Sequence, residues 1–313
     1  MKVLITGGAG FIGSQLADFF LKKGYTVTVI DNLSFGQKEF ISHNLNNPKY
    51  QFIKLDLLDY PKLVKALSPD IDTVFHLAAN SDISKGATDP DIDVKNTTLA
   101  TFNLLKAMQA NKIKKIFYTS GSGVYGDVGS TYTSETFGPL LPVSLYGATK
   151  LSAEALISAF VNLHEMKAWI LRPANIIGPR ATHGVIFDFI NKLKKDPTKL
   201  QILGDGQQSK SYLYVADVIA AIDLVWKKGK EKINLYNIAS NSFITVTEIA
   251  NVILEEMGLD KTKLSYTGGS IGWKGDVAIV RIKNTKINKL GWKSNYTSKQ
   301  AVRKTVRVLL GKE

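Results

Sequence analysis

Thr6-Gly-Gly-Ala-Gly-Phe-Ile-Gly13 follows the apolar run Val3-Leu-Ile5 directly and leads into the amphipathic stretch from Gln15 to Lys23. Strand, glycine-rich turn and helix, in that order, make the phosphate-binding unit of a nucleotide fold. Glycine serves where the backbone turns tightly, where it approaches a pyrophosphate and where helix packs on strand. The N–H groups and dipole at the helix start then favour the phosphates. The spacing is G-x-x-G-x-x-G rather than the commoner G-x-G-x-x-G, so context has to carry the reading. Asp31 supplies it, 18 residues after Gly13 at the end of the second β-rich run. A carboxylate there binds the adenosine ribose hydroxyls and repels a 2′-phosphate, which favours NAD over NADP.

Outward from this turn, β-rich runs recur at Val3 to Thr6, Thr26 to Ile30, Gln51 to Lys54, Thr73 to His76, Ile116 to Thr119 and Ala168 to Leu171. Helical patterns such as Thr98 to Ala110 lie between them. The alternation specifies an α/β protein, a Rossmann-type doubly wound parallel sheet. One long helix is expected to carry Tyr146 and run towards His164. Beyond about Gly178 the character changes, with a polar break from Lys192 to Lys199 and a turn at Gly204-Asp-Gly206. The expectation is a cofactor domain over 1–177 and a smaller C-terminal α/β substrate domain over 178–313. Segments from about 215–240 return to the first, so the boundary is discontinuous.

Ser144-Leu-Tyr-Gly-Ala-Thr-Lys150 points to hydride chemistry. Ionising a tyrosine of ordinary pKa at pH 7 costs about 4 kcal/mol. An ammonium about 5 Å away in an effective dielectric of about 20 returns roughly 3 kcal/mol. A lysine four residues later on a helix shares the tyrosine's face, so Lys150 is expected to make Tyr146 a base. In Tyr118-Thr-Ser-Gly-Ser-Gly-Val-Tyr-Gly126, Ser120 and Ser122 are candidate hydroxyls for the reacting oxygen.

Composition narrows the field. The 313 residues are 44% hydrophobic and 21% charged, as in a globular protein with a large core. There is no cysteine, which excludes disulfides, thiolate metal sites and cysteine nucleophiles; no metal is expected. The net charge of +13 is scattered in pairs such as Lys22-Lys23, Lys114-Lys115 and Lys227-Lys228, mostly near helix ends, so it predicts no nucleic-acid partner. A field attractive to a small anionic substrate is the consequence. No signal-peptide pattern and no long apolar run occurs, and the expected setting is the cytoplasm, without a membrane partner.

Together these motifs resemble the extended short-chain dehydrogenase/reductases, in particular the nucleotide-sugar epimerase/dehydratase family and, within it, the UDP-glucose 4-epimerases. The resemblance runs along the whole chain. It rests on Thr6 to Gly13, Asp31-Asn32, Asp56-Leu57, His76-Leu-Ala-Ala79, Asn96-Thr97, Val124-Tyr-Gly126, Tyr146 to Lys150, Arg172 to Arg180 and Gly204 to Asp217. It implies an NAD-dependent enzyme that oxidises and re-reduces C4 of a UDP-sugar. Catalysis falls to Tyr146, Lys150 and Ser120, with Ser122 as the alternative hydroxyl. NAD contacts are implied at Gly7, Gly10, Phe11, Ile12, Gly13, Asp31, Asn32, Ser34, Gly36, Asp56, Leu57, Leu77, Ala78, Ala79, Asn96 and Pro173, besides Tyr146 and Lys150. His76 is structural in this reading, and a homodimer is implied.

The chain also departs from the family. Gly121 stands where many epimerases carry Ser or Thr, and Ser122-Gly123 replaces the acidic residues that sugar 4,6-dehydratases place before Val-Tyr-Gly, which disfavours elimination. Lys210-Ser211 replaces an Arg-Asp pair, losing the planar fork. Trp273, before Lys274-Gly-Asp276, replaces a phosphate-binding arginine. Ser122, Asn175, Lys210 and Arg281 remain as substrate contacts. Epimerisation at another carbon, a reductase, a decarboxylase and a non-catalytic NAD-binding protein stay open as alternatives.

Overall fold

The computed structural model describes residues 1–81, 83–273 and 275–313, apart from the side chains of Ser84 and Ala87; Lys274 lies outside the described residues. The chain forms two compact units. The first comprises Met1–Val124, Leu145–Arg172 and Ile222–Tyr236, the second Tyr125–Ser144, Pro173–Ala221 and Asn237–Glu313.

The first unit begins with β1 (Lys2–Thr6), α1 (Phe11–Lys22), β2 (Thr26–Asp31), β3 (Tyr50–Lys54), α2 (Tyr60–Ala66) and β4 (Thr73–His76). Then come α3 (Ile83–Thr88), α4 (Pro90–Asp93), a π turn (Val94–Leu99), α5 (Ala100–Ala110) and β5 (Lys115–Thr119). After the short β6 (Tyr132–Thr133) the chain continues through α6 (Leu145–Leu163) and β7 (Lys167–Pro173). The second unit follows with β8 (Asn175–Ile177), α7 (Val185–Lys195), β9 (Lys199–Ile202), β10 (Ser209–Lys210) and β11 (Tyr212–Tyr214). Helix α8 (Val215–Lys228) leads to β12 (Ile233–Ile238), and β13 (Ile244–Thr245), α9 (Val246–Met257), β14 (Lys263–Tyr266), β15 (Arg281–Ile282), α10 (Thr285–Asn288) and α11 (Ser298–Leu309) complete the chain.

Seven strands form one sheet in the order β3-β2-β1-β4-β5-β7-β12. Registers such as Ile5↔Val29, Ile5↔Phe75, Phe75↔Phe117 and Phe117↔Trp169 are parallel. Strand order reverses between β1 and β4, and in open parallel sheets ligands bind beyond the carboxyl ends of the strands at such a switch point. Both faces are apolar because both are covered. On one, Leu4, Val74, Ile116 and Ala168 pack with Leu63, Leu104 and Ile157. Side chains alternate along a strand, so Phe75 and Phe117 face the other way. There Phe75 meets Phe20 at 4.8 Å and Trp226 at 5.2 Å between ring centroids.

The strand boundaries fall within a residue or two of the sequence reading. The stretch from Thr98 differs: α5 begins at Ala100, and the turn before it is a π turn that accommodates an extra residue. The polar break at Lys192 is also corrected, since Lys192, Lys194 and Lys195 form the last turn of α7 and sit favourably at its negative end. In the second unit α7, α9 and α11 bury Phe189, Ile249, Ile253 and Val302 in a core of their own. Capping boxes at Thr245 with Glu248 and at Thr297 with Gln300 start α9 and α11.

Candidate active site

The glycine turn explains its own composition. Gly7 has φ +69°, and a Cβ there would lie 2.7 Å from the Ala78 amide nitrogen. A Cβ on Gly13 would run into the Gly7 carbonyl oxygen. The turn therefore packs against Leu77 and Ala78 at the end of β4 only because it carries no side chains. Gly10 is the N-cap of α1 and supplies no side-chain cap, so no side chain occupies the amides of Phe11 and Ile12 in the first turn. That bare, positive helix start is a cradle for a pyrophosphate.

Asp31, 7% exposed, accepts from the Ala9 amide at 3.0 Å and the Leu33 amide at 2.8 Å. Burial raises its pKa, and these two bonds oppose the rise. A Cβ on Gly36 would lie 2.7 Å from its Oδ1, so glycine keeps that side open. Asn32 donates to Asp56 Oδ2 at 3.0 Å, and Ser34 donates to Asn32 Oδ1 at 2.7 Å. An open pocket is lined by Asn32, Ser34, Lys54, Leu55 and Asp56. Leu57 is buried beside it in chain order, and Asn96 is half-buried in the π turn.

Tyr146 and Lys150 share a face of α6. Lys150 is 4% exposed; its Nζ donates to the Thr119 carbonyl oxygen at 2.8 Å and stands 5.7 Å from the centre of the Tyr146 ring. Burial pulls the ammonium down to about 8, opposed by the carboxylates of Glu154 and Asp93. Burial, and then Asp93, push the Tyr146 phenol up to about 12. In the free protein, burial thus holds the phenol in its protonated form. Ser120, 3% exposed, closes β5, and its Oγ has no hydrogen-bond partner. The Cβ position of Gly121 lies 3.6 Å from the Tyr146 hydroxyl oxygen, so the end of β5 faces the phenol. Ser122 is half-buried and opens the 3-10 turn Ser122–Tyr125.

His76 is fully buried and forms part of a chain of polar contacts. Thr101 donates to the Thr97 carbonyl at 2.6 Å, so its oxygen is left to accept from His76 Nε2 at 2.8 Å. His76 Nδ1 then accepts from Thr6 at 2.7 Å, and Thr6 Oγ1 accepts from the Ala78 amide at 3.4 Å. The network assigns the proton to Nε2. Burial, with Lys150 adding to it, lowers the imidazole to about 3, so the ring is neutral and structural. Asp93 went unnoticed in the sequence. It is fully buried and accepts from Asn80 at 2.9 Å, whereas Pro90-Asp-Ile-Asp93 has the pattern of an exposed helix start.

The remaining candidates lie in the second unit. Pro173 ends β7 and Asn175 opens β8, paired in register with Tyr212. Lys210 is held by Asp276 at 2.6 Å, so its charge is largely answered within the protein. Arg281 donates to the Ser209 carbonyl at 2.9 Å and stacks 3.9 Å from the Phe243 ring centre. The structure thus gathers Lys210 and Arg281 around β10 and places Asn175 on a different strand pair. Trp273 is half-buried beside Gly275. Among the described residues no group of three or more His, Cys, Asp or Glu could hold a metal ion, and no helix is long and apolar enough to cross a membrane.

Comparison with known proteins agrees with this architecture. Residues 3–239 match the NAD dependent epimerase/dehydratase family. The chain is 30% identical to the UDP-glucose 4-epimerase of Mycolicibacterium smegmatis over 322 residues, covering 100% of this chain and 99% of that one. A crystal structure of a UDP-galactose 4-epimerase superposes with a TM-score of 0.89 at 35% identity, covering 99% of both chains. A dTDP-glucose 4,6-dehydratase from Streptomyces venezuelae, solved with NAD bound, gives a TM-score of 0.91 at 25% identity, with 99% of this chain and 97% of that chain covered. The bare glycine turn and the Asp31 corner suit the same cofactor, and the chain belongs to the NAD-dependent nucleotide-sugar epimerase/dehydratase family of enzymes.

Proposed function

We propose that the chain is a nucleotide-sugar 4-epimerase that interconverts UDP-glucose and UDP-galactose, working as a cytoplasmic homodimer. The observation that carries this reading is the buried Ser120 hydroxyl without a partner, one residue from the position facing the Tyr146 phenol. A buried hydroxyl of this kind is available to bond a ligand oxygen. NAD, held by the glycine turn and Asp31, would supply the acceptor and donor for the C4 hydride. Lys150, on the same face of α6, favours the Tyr146 phenolate, and a bound oxidised ring would add to that effect. Tyr146 takes the proton of the sugar 4-hydroxyl, and Ser120 donates to the same oxygen as it becomes a ketone. After the keto sugar turns, Tyr146 returns the proton. Asp31 selects NAD through the ribose, and Phe11 and Ile12 amides bind the pyrophosphate. Residues 178–313, without the segments near 215–240, form the substrate domain, and Arg281 within it and Asn175 just before it contact the nucleotide diphosphate. Lys210, already paired, contributes less.

Ser122-Gly123 before Val124-Tyr-Gly126 supports epimerisation over elimination, because neither side chain carries a carboxyl to move the C5 and C6 protons. With C4-deuterated UDP-glucose, the galacto product should keep its label when excess unlabelled NADH is present, and turnover should need no added reductant. Loss of label to the cofactor pool would assign a reductase or dehydrogenase instead. A 4-keto-6-deoxy product would assign a dehydratase.

A further inference from the structure

Lys54 is a cation at the cofactor corner that neither the ribose contact nor the pyrophosphate cradle uses. It ends β3 and pairs in register with Asp31, the last residue of β2. Neighbouring strands lie about 4.8 Å apart and register partners project from the same face, so Lys54 and Asp31 leave the sheet side by side. The Leu55 amide donates to the Asp31 carbonyl oxygen at 3.1 Å, which keeps the two strand ends together beyond the last pair. Lys54 lines the open pocket with Asn32, Ser34, Leu55 and Asp56, and of these residues it alone is cationic. Other donors answer the two carboxylates of the corner. Asp31 accepts from the amides of Ala9 and Leu33, and Asp56 from the Asn32 side chain at 3.0 Å and the Leu58 amide at 2.9 Å. Lys54 is exposed, and among the described residues it forms no ion pair.

We propose that Lys54 is a specificity-determining residue of the cofactor site: its ammonium attracts a phosphate on the 2′ oxygen of the adenosine ribose and offsets part of the repulsion from Asp31, so that the chain binds NADP as well as NAD, with NAD the tighter. The inference rests on the reading of Asp31 as the ribose contact. NADP differs from NAD by a phosphate on a hydroxyl assigned to that carboxylate, and the phosphate brings a charge of about −1.5 to −2 at pH 7. Its place is therefore at the end of β2, where Lys54 is the adjacent strand-end residue of β3. An ammonium on a flexible four-carbon stem, with no ion pair to break, follows such a group at little cost. The ribose hydroxyls of NAD are neutral, so the same ammonium has little effect on NAD. Asp31 and Lys54 thus act in opposite directions on one group of the cofactor, and the preference is the difference between the two effects. Because Lys54 is exposed, its attraction for the phosphate is screened by salt.

The test is calorimetric. The full-length chain, stripped of nucleotide, is titrated with NAD and with NADP as wild type, Lys54→Gln, Lys54→Arg, Asp31→Ala, and Asp31→Ala combined with Lys54→Gln. Lys54→Gln should weaken NADP about fivefold, alone and in the Asp31→Ala background, while NAD stays within about twofold. Lys54→Arg, which keeps the charge, should hold the wild-type ratio within about twofold. Raising sodium chloride from about 0.05 M to about 0.5 M should shrink the effect of Lys54→Gln, a response that a purely structural role does not give. A ratio that moves less than about twofold in both backgrounds overturns the proposal, and so does an equal loss of both cofactors. Wild type that binds NAD but no NADP overturns it as well. Lys22→Gln removes the same net charge from the far end of α1, and an equal effect of that change on NADP would assign the attraction to the overall field instead of to Lys54. If Asp31→Ala leaves the preference unchanged while Lys54→Gln shifts it, the ribose contact of Asp31 fails and the role of Lys54 stands.

Discussion

The Lys150 ammonium donates to the Thr119 carbonyl oxygen, not to the Tyr146 hydroxyl, and so the residue that should activate the phenol is anchored to the end of the neighbouring strand. Its buried charge destabilises the fold. Its pKa is lowered from 10.5 to about 8, so below pH 8 the folded protein carries a charge that the unfolded chain holds more cheaply. Between pH 8 and 10.5 the folded state releases its proton first and the penalty is relieved. Lys150→Met should therefore abolish turnover yet stabilise the cofactor-free protein by on the order of 2 kcal/mol at pH 7. The gain should vanish by about pH 10.5. Denaturant titrations at pH 7, 9 and 10.5 check it, and equal differences at all three would contradict the assignment.

Two glycines, one inside α1 and one just beyond its end, should behave oppositely. Gly13→Ala drives a methyl into the Gly7 carbonyl, so the turn must open and NAD binding should be lost. Gly24, past the end of α1, has φ +83° with open space around its Cβ position. Gly24→Ala should cost only about 1 kcal/mol of stability and leave NAD affinity unchanged. Calorimetry of both variants separates the effects.

Asp31→Ala removes a carboxylate that both organises the turn through Ala9 and Leu33 and faces the ribose in the proposed complex. NAD affinity should fall at least tenfold, about 1.4 kcal/mol, while the preference over NADP narrows. Equal wild-type affinity for the two cofactors would remove the ribose contact.

His76 should make the fold acid-sensitive. Its pKa falls from 6.5 to about 3, so as pH drops below 6.5 the unfolded chain binds a proton that the folded one refuses. Stability should decline by on the order of 4 kcal/mol between pH 6.5 and 3 from this group. His76→Gln keeps a donor and an acceptor without a titrating proton. Its stability should lie below wild type at pH 7 and fall less steeply towards pH 4 in thermal melts.

Tyr146→Phe should fold and bind NAD but lose activity by at least about a thousandfold, since it removes the only base proposed. Ser120→Ala should slow the label-retaining reaction about a hundredfold and Ser122→Ala much less, because the Ser120 hydroxyl is buried without a partner and Ser122 is half-buried. The reverse order in a UDP-galactose product assay would transfer the role to Ser122.

The periods, glycines and charges of the chain were enough to place β1, β2, β4 and β5 nearly residue by residue, because parallel strands covered on both faces leave short, almost unbroken apolar runs. They also marked Tyr146 and Lys150, whose spacing puts both on one face of α6. Local pattern ends there. The protonated state of Tyr146 follows from burial and from Asp93, which is distant in sequence and sits in a stretch that reads as solvent-facing. The pairing of Lys210 with Asp276 joins residues 66 apart, and the contacts of Arg281 with Ser209 join residues 72 apart. Such pairings are invisible to periodicity because they depend on which loops the packed strands bring together. Residue type and spacing set the fold class and the kind of chemistry. Desolvation and the positions of buried charges, which exist only once the chain is folded, decide which of those groups is ionised and which are already spoken for.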